Sequence, residues 1–153
     1  MIALVDYGLG NIQAFANIYR RLGIETWAAR SPEDLSRASK IILPGVGAFD
    51  WAMTRLQDSG LRAALDGAVL GEKKPVLGIC VGMQMMARSS EEGVLPGLGW
   101  IDATVVKFDT RLLKGRTHLP QMGWNDAAPL HLDTLFAGID APRYYFLHSY
   151  YRK

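Results

Sequence analysis

The chain has a single cysteine, and the residues around it make it the first place to look for chemistry. Cys80 lies in Gly78-Ile79-Cys80-Val81-Gly82, with one glycine two positions before it and another two positions after. An aliphatic run, Val76 to Ile79, precedes it and a helical run from Gly82 to Arg88 follows, which puts the cysteine at a strand-to-helix turn. This is the sulfur counterpart of the G-x-S-x-G elbow, where glycines relieve crowding around a strained nucleophile whose side chain stands clear of the sheet. The start of the following helix favours thiolate over thiol and offers the Val81 N–H to an oxyanion. The competing reading is a packed cysteine beside ordinary turn glycines, because cysteine is among the most buried residue types. The spacing alone leaves both open.

A second glycine-rich loop, Pro44-Gly45-Val46-Gly47-Ala48-Phe49, follows the aliphatic run Lys40 to Leu43. In an open parallel sheet the carboxyl ends of neighbouring strands share one crevice, so this loop is expected beside Cys80 with backbone N–H groups for an oxyanion hole. Taken by itself it is equally a plain tight turn.

The elements that must position these residues alternate between aliphatic runs and helical periods. Ile2 to Val5, Glu25 to Ala29, Lys40 to Leu43 and Pro75 to Ile79 read as strands. Ile12 to Leu22 closed by Gly23, a short helix after Ser31-Pro32-Glu33-Asp34, and two helical segments from Phe49 to Leu70 broken near Gly60 read as the connections. Continuous apolar strands separated by helices predict an α/β fold, a mostly parallel central sheet with helices on both faces. After Met86 the rhythm changes: Ala103 to Phe108 alternates like an edge strand, and His118 to Trp124 is a loop with a possible short strand. Leu132 to Ile139 suits a brief helix, and Tyr144 to Tyr151 is strongly strand-like.

Composition narrows the function classes. With 153 residues, 49% apolar and 21% charged, one domain spanning residues 1–153 can bury a core. The 17 basic and 15 acidic residues are not gathered into runs, so neither nucleic acid nor a membrane surface finds a foothold. One cysteine makes no internal disulfide, the first residues lack the features of a signal peptide, and the cytoplasm is the expected location. Three scattered histidines and one cysteine lack metal-ligand spacing, so no metal or cofactor is expected. Gly8-Leu9-Gly10 opens like a dinucleotide fingerprint, but Gln13 stands at the third glycine position.

Five segments carry a family resemblance: IALVDYGLGNI from Ile2, LPGVGAF from Leu43, GICVGMQMM from Gly78, PQMGWN from Pro120 and YYFLHSYY from Tyr144. In this order and across the whole chain they resemble the glutaminase subunits of imidazole glycerol phosphate synthase, which are class I, triad-type glutamine amidotransferases of histidine biosynthesis. The resemblance implies a flavodoxin-like amidotransferase fold in which Cys80 attacks the glutamine carboxamide, forms a glutamyl thioester and releases ammonia. It implies oxyanion donors at Val46, Gly47 and Val81, and substrate contacts at Gln84, Glu92, Ser149 and Tyr150, with Glu92 suited to the α-ammonium group. It further implies a heterodimer with a (β/α)8 cyclase/synthase barrel that receives the ammonia, and places Asn11, Trp124 and Asn125 towards that partner. For Trp124 the alternative is ordinary packing.

Two departures accompany the resemblance. The family's general base is a histidine in a later Phe-His-Pro-Glu segment, and the sequence reaches Lys153 without it. The expectation is therefore a domain incomplete at its C-terminus and inactive alone. His148 is read as structural or pocket-lining, and His118 and His131 as surface or loop residues. Gln121 stands where the family usually has histidine and keeps hydrogen bonding without a titratable ring. The rival readings are a non-catalytic partner-binding module of the same fold, and a paralogue supplying ammonia to sugar or surface-polysaccharide amination.

Overall fold

The computed structural model describes residues 1–112, 118–130 and 135–153, which fall into two compact units. The first comprises Met1–Val106 with Arg152–Lys153, and the second Lys107–Tyr151.

The first unit is built on four parallel strands: β1 (Ile2–Val5), β2 (Thr26–Ala29), β3 (Lys40–Gly45) and β4 (Val76–Cys80), in the order β2-β1-β3-β4. This is the parallel α/β sheet that the alternating runs predict. Helices α1 (Ile12–Arg21), α2 (Pro32–Ser36), α3 (Phe49–Asp58), α4 (Arg62–Asp66) and α5 (Val81–Met85) connect and cover it, and α4 runs on into a π-helical turn, Gly67–Gly71. Local chemistry sets their ends. The Asn11 side chain accepts the Ala14 N–H at the start of α1. Gly23, at φ +70°, closes that helix by donating to the Arg20 carbonyl while Ile24 donates to that of Tyr19, the reciprocal pattern of a left-handed C-cap. Ser31 and Asp34 form a capping box at α2 with Pro32 in the first turn.

The core lies between the sheet and its helices. Val5 and Leu43 from the strands meet Phe49, Leu56, Leu65 and Met85 from the helices, all buried. Each such side chain contributes about 1.5–3 kcal/mol by leaving water. The weld between β3 and α3 is therefore apolar and rigid on both sides of the exposed Val46-Gly47-Ala48 loop.

The structure departs from the sequence reading in four places. The helix after Cys80 is shorter than Gly82 to Arg88, because beyond Met86 the backbone bonds to residues 97–103 instead of a further turn. Arg88 donates to the Ala103 carbonyl and accepts from Gly97. The chain then forms β5 (Ser89–Ser90), parallel to β6 (Thr104–Lys107), and Thr104 and Lys153 exchange two backbone hydrogen bonds. In the second unit the loop around His118 to Trp124 yields a full strand, β7 (Gln121–Asp126), antiparallel to β8 (Arg143–His148). The run Tyr144 to Tyr151 breaks at Ser149 into β8 and β9 (Tyr150–Arg152). For the helix expected over Leu132 to Ile139, residues 132–134 lie outside the described residues, and Leu135 to Gly138 form turns, ended by the left-handed φ of +76° at Gly138.

Candidate active site

Cys80 ends β4 at φ +56° and ψ −122°, immediately before Val81 opens α5, and its side chain is exposed. A non-glycine residue at such angles stores roughly 1–3 kcal/mol of strain, and strain of that kind collects at functional sites. An exposed, strained cysteine is not an apolar filler, so the geometry decides for the elbow.

The flanking glycines are where the elbow closes. A Cβ on Gly78 would come within 2.5 Å of the Met83 Cα, and one on Gly45 within 2.5 Å of the Gly82 N. A Cβ on Gly82 would press on the Leu43 carbonyl oxygen. In each case the obstacle is backbone, which a rotamer change cannot clear, so α5 lies directly on the ends of β3 and β4 only because these positions lack side chains.

The parallel register then sets the second glycine loop beside the cysteine. Gly45 is paired with Cys80, and the chain leaves the buried strand at Val46, turns through Gly47 at φ +83°, and re-enters the core at Phe49. Gly45, the residue before Val46, thus lies beside Cys80 in the ladder and against the Val81-Gly82 backbone, so the Val46-Gly47 turn leaves the sheet next to the cysteine's strand end. Beneath them Tyr7, 2% exposed, donates from its hydroxyl to the Pro44 carbonyl at 2.8 Å. Burial and then the charge of the nearby Cys80 push its hydroxyl up to about 12, so it remains a neutral donor. Sequence reasoning missed Tyr7, because the contact joins residues 37 positions apart and no local pattern announces it.

Gln84, on α5, is buried, and its Oε1 has no hydrogen-bond partner among the described residues. A buried amide oxygen left unpaired is costly, and a ligand donor would relieve it. Glu92 is exposed, and its Oε2 accepts the Phe49 N–H at 3.0 Å, the first amide of α3. In return Asp50, one residue further along α3, accepts the N–H groups of Val94 and Leu95, the latter at 3.0 Å. The loop that carries Glu92 is therefore tied from both sides to the helix that follows the Val46-Gly47-Ala48 loop. Asp50 was also invisible in the sequence, where an acid in a first helical turn is commonplace.

Ser149 and Tyr150 belong to the second unit. The Ser149 carbonyl accepts from the Phe108 N–H, and His148 Nδ1 donates to the Tyr150 carbonyl at 2.9 Å. The His148 ring stands edge-on to Phe108 at 5.2 Å, which fits the structural role read from the sequence. His118 is exposed, as a loop residue should be, and His131 lies outside the described residues. Gln121 pairs with His148 across the β7–β8 ribbon.

The same ribbon explains Trp124. Residues directly opposite in an antiparallel pair share a face, so Met122–Leu147 and Trp124–Tyr145 form one surface, ended by the Asp126–Arg143 ion pair. All four apolar residues are exposed, Trp124 by 63%, and Trp124 meets Tyr145 edge-on at 5.8 Å. Trp124 is thus surface rather than packing. Tyr145, Met122 and Leu147 join it only once the register is known. Asn125 is half-buried and donates to the Gly123 carbonyl, and Asn11 is occupied as the cap of α1.

Comparison with known proteins agrees with this geometry. The family described as Glutamine amidotransferase class-I matches residues 3–153. The chain is 56% identical over 154 residues to "Imidazole glycerol phosphate synthase subunit HisH" of Bdellovibrio bacteriovorus, covering 99% of this chain and 74% of that protein. It is 45% identical over 152 residues to the protein of the same name in Leptospira interrogans, with coverage of 99% and 74%. Among solved structures, a putative GMP synthase subunit from Thermoplasma acidophilum superposes with a TM-score of 0.67 at 20% identity, over 99% of this chain. A crystal structure of a glutamine amidotransferase gives a TM-score of 0.62 at 20% identity over 82% of this chain. The chain spans 65% and 62% of the length of those two solved chains, and the likeness speaks for the fold.

Proposed function

The chain belongs to the class I glutamine amidotransferase family, and from that membership we propose that it is the glutaminase subunit of an imidazole glycerol phosphate synthase, supplying ammonia in histidine biosynthesis. The observation that carries this is Cys80, exposed at a strained elbow and paired in register with the Gly45 end of the oxyanion loop.

In this reading the Cys80 thiolate attacks the side-chain carboxamide carbon of glutamine, and a C–S bond forms as the carbonyl electron pair moves onto oxygen. Amides from Val46, Gly47 and Val81 hold that oxyanion. Collapse of the intermediate breaks the C–N bond, the nitrogen takes up a proton from solvent and departs as ammonia, and water then cleaves the thioester C–S bond to give glutamate, returning Cys80 as thiolate and protons to solvent. Gln84 and Glu92 hold the amino-acid end: the unpaired Gln84 Oε1 and the Glu92 carboxylate are acceptors suited to an α-ammonium group. The family pattern assigns Ser149 and Tyr150 to glutamine as well. Residues 1–153 form one amidotransferase domain, a reading supported by the family match across both units.

The ammonia acceptor is a (β/α)8 barrel, bound as the other half of a heterodimer. The exposed Trp124–Tyr145 face supports this docking, since large aromatic residues dominate binding energy at interfaces. By the same family pattern Asn11 and Asn125 are partner-facing residues. A thiol nucleophile suits the reducing cytoplasm, and no helix among the described residues is long and apolar enough to cross a membrane.

The test is covalent. A chloroketone analogue of glutamine, whose chloride leaves as the thiolate forms a C–S bond, should label Cys80 saturably, with protection by glutamine. Non-saturating labelling that glutamine does not slow would refute the glutamine site, and labelling unchanged in Cys80→Ala would refute the nucleophile.

A further inference from the structure

Glu92 is exposed on a loop, yet the proposed recognition of an ammonium group needs its carboxylate at a fixed place. Two of the ties are Glu92's own, and one of these is its N–H donating to the Ser90 hydroxyl at 3.1 Å. Its Oε2 takes the Phe49 N–H at 3.0 Å, and the opposing hold comes from Asp50, whose carboxylate receives Val94 N–H at 3.0 Å from Oδ2 and Leu95 N–H at 3.0 Å from Oδ1. The carboxylate also lies directly over Gly93, so that a Cβ there would collide with Asp50 Oδ1. The arrangement is reciprocal: the α3 terminus donates to the loop's carboxylate, while the loop's amides donate to an α3 carboxylate. Hydrogen bonds to an ionised acceptor are about twice as strong as neutral ones, and a pair running in opposite directions resists both sliding and rotation.

We propose that Asp50 is a positioning residue for substrate binding: it locks the Gly93-Val94-Leu95 backbone to the first turn of α3 and thereby holds the Glu92 carboxylate at a fixed distance from the oxyanion loop. The proposal rests on the reading that Glu92 takes the α-ammonium group of glutamine. Because Val46, Gly47 and Ala48 lead directly into Phe49, one helix terminus sets both ends of the substrate, the oxyanion end through the chain and the ammonium end through Asp50. The sequence offers no hint of this, since Asp50 and Val94 are 44 positions apart.

The experiment uses the chloroketone analogue of glutamine and reads its two inactivation constants separately. KI reports the hold on the amino-acid end, and the limiting rate reports the thiolate. Asp50→Asn keeps the shape but turns an amide N–H₂ towards a backbone donor, and KI should rise about tenfold, roughly one charge-assisted hydrogen bond, with the limiting rate little changed. Gly93→Ala, which drives the Asp50 carboxylate aside without altering it, should raise KI in the same direction. In the double variant of Asp50→Asn with Glu92→Gln, KI should equal that of Glu92→Gln alone, because Asp50 acts through Glu92. Iodoacetamide, which has no amino-acid end, serves as the control for thiolate reactivity. An unchanged KI in both single variants, or strictly multiplicative effects in the double variant, would overturn the role of Asp50. Failure of the unaltered protein to show saturation at all would instead overturn the glutamine reading.

Discussion

Replacing Cys80 with glycine should make the protein more stable, although it removes the nucleophile. At φ +56° and ψ −122° the Cβ of residue 80 holds the backbone where an L-residue is strained, and glycine removes that conflict. The relief is roughly 1–3 kcal/mol. Against it stands the extra freedom of glycine in the unfolded chain, about 0.4–1 kcal/mol. Little is lost from burial, because the side chain is exposed. The net gain is therefore about 1 kcal/mol, or about 2–4 °C in melting temperature for a chain of this size. Cys80→Ala is the necessary comparison: it deletes the sulfur and keeps the Cβ, so it should leave stability near the starting value. Urea unfolding followed by far-UV circular dichroism, with thermal melts of all three proteins, measures the difference. Both variants should be inert towards the chloroketone, which separates stability from function. If the glycine variant is no more stable than the alanine variant, the elbow is not strained and the argument from φ fails.

Gly82→Ala should destabilise by about 1–3 kcal/mol or more, since its Cβ meets the Leu43 carbonyl and neither backbone can yield cheaply; a melting temperature within 1 °C of the original, on the scale of about 2–4 °C per kcal/mol, would contradict the packing. Tyr7 carries a pH dependence: its hydroxyl ionises near the ordinary 10 when unfolded and at about 12 when folded. Its contribution is constant below pH 10, and between pH 10 and 12 about 3 kcal/mol of stability is lost, roughly 1.4 for each pH unit. The gap between the original protein and Tyr7→Phe in urea unfolding should therefore move by that amount across the window, and a flat gap refutes the shift. Trp124→Ala should weaken association with a (β/α)8 synthase barrel by about 2 kcal/mol, close to thirtyfold in Kd by calorimetry; an unchanged Kd would remove the ribbon face from the interface.

What could be read in the sequence was what neighbouring residues decide. The glycines at 78 and 82, the aliphatic run before Cys80 and the caps at Ser31 and Gly23 act within a few positions, and the structure bears them out. The meeting of the Gly45 loop with Cys80 was also legible, because parallel neighbours bring their carboxyl ends together by rule. The end of α5 was not, since residues 97–103 take over its backbone bonds. Nor was the exposed ribbon face: Trp124 stood out by type, but Tyr145 and Met122 share its surface only through a register that nothing local fixes.

The contacts that hold the strained residue in place are partly those glycines and partly ties hidden from the sequence. A cysteine at positive φ would relax if its surroundings gave way, so the elbow needs restraint from several directions at once. The ladder to Gly45 fixes it from one side, and α5, seated through Gly78 and Gly82, fixes it from another. Tyr7 grips the Pro44 carbonyl from beneath, while the Asp50–Glu92 exchange fastens α3 to the loop beyond. Most of these ties join segments distant in the chain, and each acts on backbone rather than on the sulfur. A rigid frame built this way leaves Cys80 exposed and held at its strained angles beside Gly45. The strain and the framework are then one device: the glycines let the chain approach, the core and the buried hydroxyl stop it from springing back, and the cost is carried by residues that take no part in the chemistry.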